Sequence, residues 1–194
     1  MLHFPPPSRK GRVGGAYQAV TNEGERSEAL VAARRSRTLL LGERQFGGTP
    51  MQKTLGITYA THDGVALQGD LYTPEGSGPF PALVAVHGGG WQLGTRESYK
   101  HWAPYLTAAG YALFSVDYRL SKPQQKSYPQ AVHDIRAAVQ YLRGAASDLK
   151  IDGKRIALIG DSAGGHLAAL VALAGDAPVF ADGCRDDAYA SVST

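Results

Sequence analysis

The chain has almost no cysteine. Cys184 stands alone among 194 residues, which excludes an internal disulfide framework and a cysteine-rich metal site. Long hydrophobic runs are missing as well: no apolar stretch approaches the roughly 18 residues that a membrane-crossing helix needs. Nor is there a charge excess that would draw the body of the chain to nucleic acid. Of the net charge of +3, residues 1–50 carry +4, from eight Lys/Arg against four Glu; the other twelve basic and thirteen acidic side chains nearly cancel. What is present is the composition of a globular protein, 43% apolar and 19% charged, in a length that suits one domain with a short extension.

Residues 1–50 read as that extension. Pro5-Pro6-Pro7 and Gly14-Gly15 break regular structure, and 24–41 has the apolar points of one short helix. No apolar stretch follows the first basic residues in the manner of a secretory signal, and four Glu weaken a transit-peptide reading. The leader is expected to be poorly ordered, or to follow a start codon placed upstream of the true one. The arginines beside Glu23, Glu25 and Glu28 fit a solvated helix face better than a nucleic-acid contact.

From residue 51 the pattern is regular. Residues 53–60 and 65–73 alternate as an antiparallel strand pair, with turn chemistry at His62-Asp63-Gly64. Residues 81–87, 111–118 and 155–160 are near-continuous apolar runs, as in strands buried on both faces. Between and after them lie a helical stretch over 98–109 interrupted by Pro104, an amphipathic helix over 130–146 with Val132, Ile135, Val139 and Leu142 on one stripe, and a small-residue helix over 163–174. Two alternating strands followed by strand–helix units predict an α/β sheet, mostly parallel, with an antiparallel N-terminal hairpin and helices on both faces.

Two motifs carry chemistry. Gly160-Asp161-Ser162-Ala163-Gly164 follows a buried strand and opens a helix. A strand that becomes a helix within about two residues forces the serine into a strained backbone, and flanking glycines leave room for the bend. The hydroxyl then stands at the helix N-terminus, with the Ala163 N–H aimed at the space above it. The second motif, His87-Gly88-Gly89-Gly90-Trp91, closes the first buried apolar strand. Three glycines let backbone N–H groups approach a substrate closely.

Together HGGGW and GDSAGGHLA resemble the esterase/lipase branch of the α/β-hydrolase superfamily, close to hormone-sensitive lipase and more so to feruloyl-esterase-like bacterial carboxylesterases. Asp117-Tyr118-Arg119-Leu120, Tyr128-Pro129 and Asp134-Ile135 add to the likeness, which spans about residues 53–176. The resemblance implies a serine hydrolase that cleaves small-molecule carboxylic esters through an acyl-enzyme, without metal or cofactor. It makes Ser162 the nucleophile, assigns oxyanion donors to Gly89, Gly90 and Ala163, and places Trp91 against the acyl or alcohol group. Which two of the three glycines face inward stays open, as does an amidase, formamidase or peptidase activity on the same fold.

The resemblance also implies an acid and a histidine that follow the serine on later strands. Downstream of Ser162 stands one histidine, His166, on the flank of the same helix, where packing is its expected role. His87 is expected to be structural, His101 and His133 to lie on helices, and His62 in a distal turn. Five strands are counted where the resemblance calls for about eight. The chain is therefore expected to be an incomplete α/β-hydrolase domain over 51–194, lacking C-terminal strands and having little triad-level activity. The strand before Ser162 should then lie uncovered at the sheet edge. A non-catalytic fragment is the alternative. The lack of disulfides fits a cytosolic setting.

Overall fold

A computed structural model describes residues 50–174 and 177–180. The leader, its helix over 24–41 and Cys184 lie outside the described residues. Five strands form one sheet: β1 Met51–His62, β2 Val65–Pro74, β3 Phe80–Val86, β4 Ala112–Val116 and β5 Ile151–Gly160. Among the described residues three α-helices accompany them: α1 Ala103–Ala108, α2 Gln130–Gly144 and α3 Ser162–Ala174.

The hairpin forms where its turn residues stand. Asp63 and Gly64 adopt positive φ (51° and 75°) between the paired residues His62 and Val65, the backbone that a two-residue turn requires. Hydrogen bonding gives the order β1-β2-β4-β3-β5. β3 runs parallel to both β4 and β5, while β2 pairs antiparallel with β4. The chain thus moves to one side of β3 to make β4 and crosses back to the other side to make β5. Such a reversal opens a crevice at the C-terminal ends of the strands. Val86 pairs with Val116 on one side and Gly160 on the other, so the segments that leave β3, β4 and β5 start at one level.

Alternation along the strands divides the core in two. Val84, Val86, Phe114 and Val116 face α2 and α3, meeting Val132, Ile135, Leu142, Leu167 and Val171. Ala85 and Leu113 face the opposite side, with Tyr72, Ala103 and partly buried Leu106. Each large apolar side chain sealed this way contributes about 1.5–3 kcal/mol.

Three expectations change. The helical stretch over 98–109 is a 3-10 turn at Arg96–Tyr99 followed by α1, and Pro104 lies in the first turn of α1 rather than interrupting it; a missing N–H costs nothing there. His101 accordingly lies in a turn. α2 is the expected amphipathic helix with its stripe in the core, but it is buried well beyond that stripe, at eleven of its fifteen residues. Neighbouring segments cover its polar side: Arg136 Nη1 donates to the Phe180 carbonyl at 2.8 Å, and Asp134 meets the hairpin and the loop after β4. Finally, the run 155–160 is apolar enough for a buried strand yet has no fully buried residue, since among the described residues β5 is a sheet edge.

Candidate active site

β5 ends at Gly160, and α3 begins two residues later with Ser162. The bend puts Ser162 at φ +49°, the left-handed region that a non-glycine residue seldom occupies. Both flanking glycines are sterically required. A Cβ on Gly164 would lie 2.0 Å from the Val86 carbonyl oxygen, and one on Gly160 would lie 2.5 Å from the Gly164 carbonyl carbon. The helix start is thereby pressed against the end of β3, and Ser162 is left exposed. Gly164 and Gly165 N–H both bond the Asp161 carbonyl, which leaves the Ala163 N–H without a partner among the described residues.

The glycine loop leaves β3 beside this bend. Gly88 N–H donates to Asp161 Oδ1 at 3.0 Å, and a Cβ there would meet Asp161 Oδ2 at 2.3 Å. Gly88 thus braces the bend, while the Gly89 and Gly90 N–H groups have no partner among the described residues. Gly89 (φ +115°) and Gly90 (φ +61°) take conformations suited to glycine, and Trp91 follows at φ +62°. The loop closes when Gln92 and Leu93 N–H bond the Gly89 carbonyl.

The Asp117-Tyr118-Arg119-Leu120 segment is scaffold. Asp117 accepts from the Arg96 backbone N–H at 2.7 Å and from its Nη1 at 2.5 Å, while Arg96 Nε reaches Asp70 at 2.9 Å. That pins the segment after the glycine loop to the middle of β2 and the end of β4. The Tyr118 hydroxyl donates to the His87 carbonyl at 3.0 Å, and its ring stacks on the His87 imidazole at 4.5 Å. Arg119 donates to Asp134 (Nη2–Oδ1 2.7 Å) and also reaches Asp63. Leu120 packs on the larger core.

The histidines find other partners. His87 is buried, with Nδ1 2.8 Å from the Gly88 carbonyl, in the structural role expected of it. His62 ends β1 and pairs with Asp134 at 2.8 Å, and His133 Nε2 lies 3.3 Å from the Val179 carbonyl. His166 does pack, edge-on against Trp91 (5.6 Å between centroids, 89°), yet it does so exposed. Among the described residues no hydrogen bond reaches the Ser162 hydroxyl, and no three His, Cys, Asp or Glu side chains are arranged to hold a metal ion.

Sequence reading missed Asp161 and Tyr99. Asp161 Oδ1 accepts both from Gly88 and from the Tyr99 hydroxyl at 3.1 Å, so one carboxylate joins the serine bend, the glycine loop and the 3-10 turn. Partial burial pushes the Tyr99 phenol up to about 12, with the hydrogen bond to Asp161 and its negative charge adding to the effect. Tyr118 is likewise raised to about 12, by burial first and then by Asp161. Nothing in spacing or periodicity links Tyr99 to Asp161, 62 residues away. A cavity of about 290 Å3 opens beside this arrangement, with Gly90, Trp91 and His166 in its wall.

Known proteins share this design. A carboxylesterase of Mycobacterium tuberculosis, NlhH, is 39% identical over 94 residues, covering 48% of this chain and 29% of the relative. An ethyl acetate hydrolase of Pseudomonas putida is 37% identical over 120 residues, covering 60% of this chain and 37% of the relative. Among solved structures, a bacterial heroin esterase matches with TM-score 0.54 and 33% identity, over 74% of this chain and 44% of its own. A thermophilic esterase of Thermogutta terrifontis matches with TM-score 0.55 and 28% identity, over 66% of this chain and 45% of its own. The chain thus spans less than half the length of these relatives. The BD-FAE family model matches residues 69–193, more than half of the chain and inclusive of both motifs. With its mixed sheet, its serine bend and its glycine loop, this chain belongs to the BD-FAE family, in the esterase/lipase branch of the α/β-hydrolases.

Proposed function

We propose that the site performs ester hydrolysis through an acyl-enzyme formed on Ser162. The observation that carries this reading is an exposed serine on a strained bend (φ +49°), tied through Asp161 to a glycine loop, with the Gly89, Gly90 and Ala163 N–H groups left without a partner among the described residues. The Ser162 oxygen adds to the ester carbonyl carbon, and its proton passes to a base. The carbonyl oxygen gains the negative charge and accepts from the Ala163 N–H and the glycine-loop N–H groups, aided by the dipole of α3. Collapse breaks the bond to the alcohol, which leaves with a proton. Water then attacks the acyl group and releases the acid and Ser162. Trp91 flanks the group that lies beyond Gly90. Relatives named for carboxylesterase and ethyl acetate hydrolase activity support this reading.

Among the described residues no base reaches Ser162. Serine needs a neighbouring proton acceptor, and His62, His87 and His133 are engaged away from Ser162, while His166 faces Trp91 from the same helix. We therefore place turnover of the 194-residue chain at the level left to an oxyanion site without its triad, about 10³–10⁴ over water. The test is steady-state hydrolysis of p-nitrophenyl acetate together with fluorophosphonate labelling read by peptide mass spectrometry. Slow turnover that disappears in Ser162→Ala, with label on Ser162, is the expected result. Undiminished turnover in Ser162→Ala, or label elsewhere, overturns the assignment of the nucleophile. Turnover at a full esterase rate overturns the account of the base.

A further inference from the structure

The cavity beside Trp91 has a chemistry of its own. At about 290 Å3 it lies at the small end of the roughly 300–1,000 Å3 typical of ligand pockets, so it suits a compact group. Ala131 and Leu167, both buried, contribute apolar surface, and the Trp91, Tyr128 and His166 rings supply walls. Its rim is built rather than loose. The Ser121 N–H donates to the Trp91 carbonyl at 2.7 Å, the Ser127 N–H donates to Ser121 Oγ at 3.0 Å, and the two serine hydroxyls lie 2.9 Å apart. The segment bearing Ser121 and Ser127 is thus fastened to the glycine loop.

Charge then decides what fits. Lys126 lines the cavity, and among the described lining residues there is no aspartate or glutamate. Arg96, Lys100, Arg119 and Arg155 each hold a carboxylate, whereas Lys126 has no ion-pair partner among the described residues. A cation beside aromatic walls and serine hydroxyls, with no carboxylate among the described lining residues, complements a negatively charged guest. The cavity starts at Gly90 and Trp91, so its occupant is continuous with the group bound at the oxyanion donors.

We propose that this pocket selects compact esters that carry a second carboxylate, such as hemiesters of small dicarboxylic acids, with Lys126 as the specificity-determining residue. The proposal rests on the ester chemistry assigned to Ser162, but its test reads binding and not turnover. Of the two tryptophans, Trp102 packs on Tyr105 and takes no part in the cavity wall. In a Ser162→Ala, Trp102→Phe chain the ester is not consumed and Trp91 is the sole indole. Quenching of Trp91 is titrated with monoethyl succinate and with its neutral isostere, ethyl 4-methylpentanoate, in 20 mM salt.

A charge-assisted contact should favour the hemiester about tenfold in Kd. Lys126→Met should bring the ratio of the two dissociation constants to within about twofold of unity, and so should 0.5 M salt, which screens an exposed cation. Equal affinities in the parent chain, a preference that survives Lys126→Met in a variant of native circular dichroism, or binding of neither ester overturns the proposal. Charge-selective binding by a chain that hydrolyses no ester would leave this pocket standing and sink the assignment of Ser162. Hydrolysis without charge preference does the reverse.

Discussion

Asp161 shows how much a single side chain can organise here. Its carboxylate holds Gly88 and Tyr99 while its own carbonyl caps α3 through Gly164 and Gly165. Removing its charge without its shape gives a clean measurement. In Asp161→Asn, 13Cζ-tyrosine NMR should show the Tyr99 phenol falling from about 12 part of the way toward 10, because burial remains while the negative charge and the charge-assisted bond are lost. The sign follows from which form the fold favours. A phenol raised in the native state means that the neutral form is preferred, so its contribution to stability is complete below pH 10 and is lost as pH rises through about 12. The variant should therefore lose less stability than the parent between pH 10 and 12. A Tyr99 value that does not move in Asp161→Asn would show that Asp161 is not what holds it.

The β-hairpin, the helix α2 and the loop after β4 are joined by ionic contacts as well as apolar packing. Asp134 is fully buried, and its oxygens take His62 from β1 and Arg119 from the loop after β4. Arg119 in turn reaches Asp63 in the hairpin turn. The carboxylate has exchanged water for these donors, and the exchange is favourable only while the set is complete. Asp134→Ala should cost about 3–5 kcal/mol, because it leaves a shielded guanidinium without its main counter-charge. Urea unfolding followed by circular dichroism measures it, and a loss under about 1 kcal/mol would show the cluster to be incidental. None of this was legible from the apolar stripe at Val132, Ile135, Val139 and Leu142. The stripe places the helix correctly, but the polar residues between its members look like a solvated face until the hairpin and residues 178–180 are seen to cover them.

Across the molecule, stability is unevenly distributed. Among the described residues, β3 and β4 are enclosed on both faces and both edges, whereas β5 pairs with β3 alone. Its outer side and the adjoining flank of α3, including Ile156, Leu158, Ala168 and Ala172, form an open apolar groove. An unpaired strand edge with apolar neighbours is a template for association. The 194-residue chain should bind the dye ANS and show a mass by light scattering that rises with concentration. Ala157→Lys, which puts a charge on an exposed position of that strand, should reduce both. A dye-free monomer at all concentrations would show that this edge is covered.

Local sequence sufficed for the hairpin turn, the five strands, the serine bend and the glycine loop, because each depends on short-range demands. Asp63-Gly64 must take positive φ, apolar runs must leave water, and Gly160 and Gly164 must stand where any Cβ would strike backbone. The Asp161–Gly88–Tyr99 junction, the burial of α2 on its polar side, the bracing of Arg96 between Asp70 and Asp117, and the cation in the cavity beside Trp91 were out of reach of such rules. Each joins residues far apart in the chain, brought together by the way the strands pair and cross rather than by local sequence. Periodicity reports which way a side chain points along its own element, and it carries no information about which distant charge will meet it there.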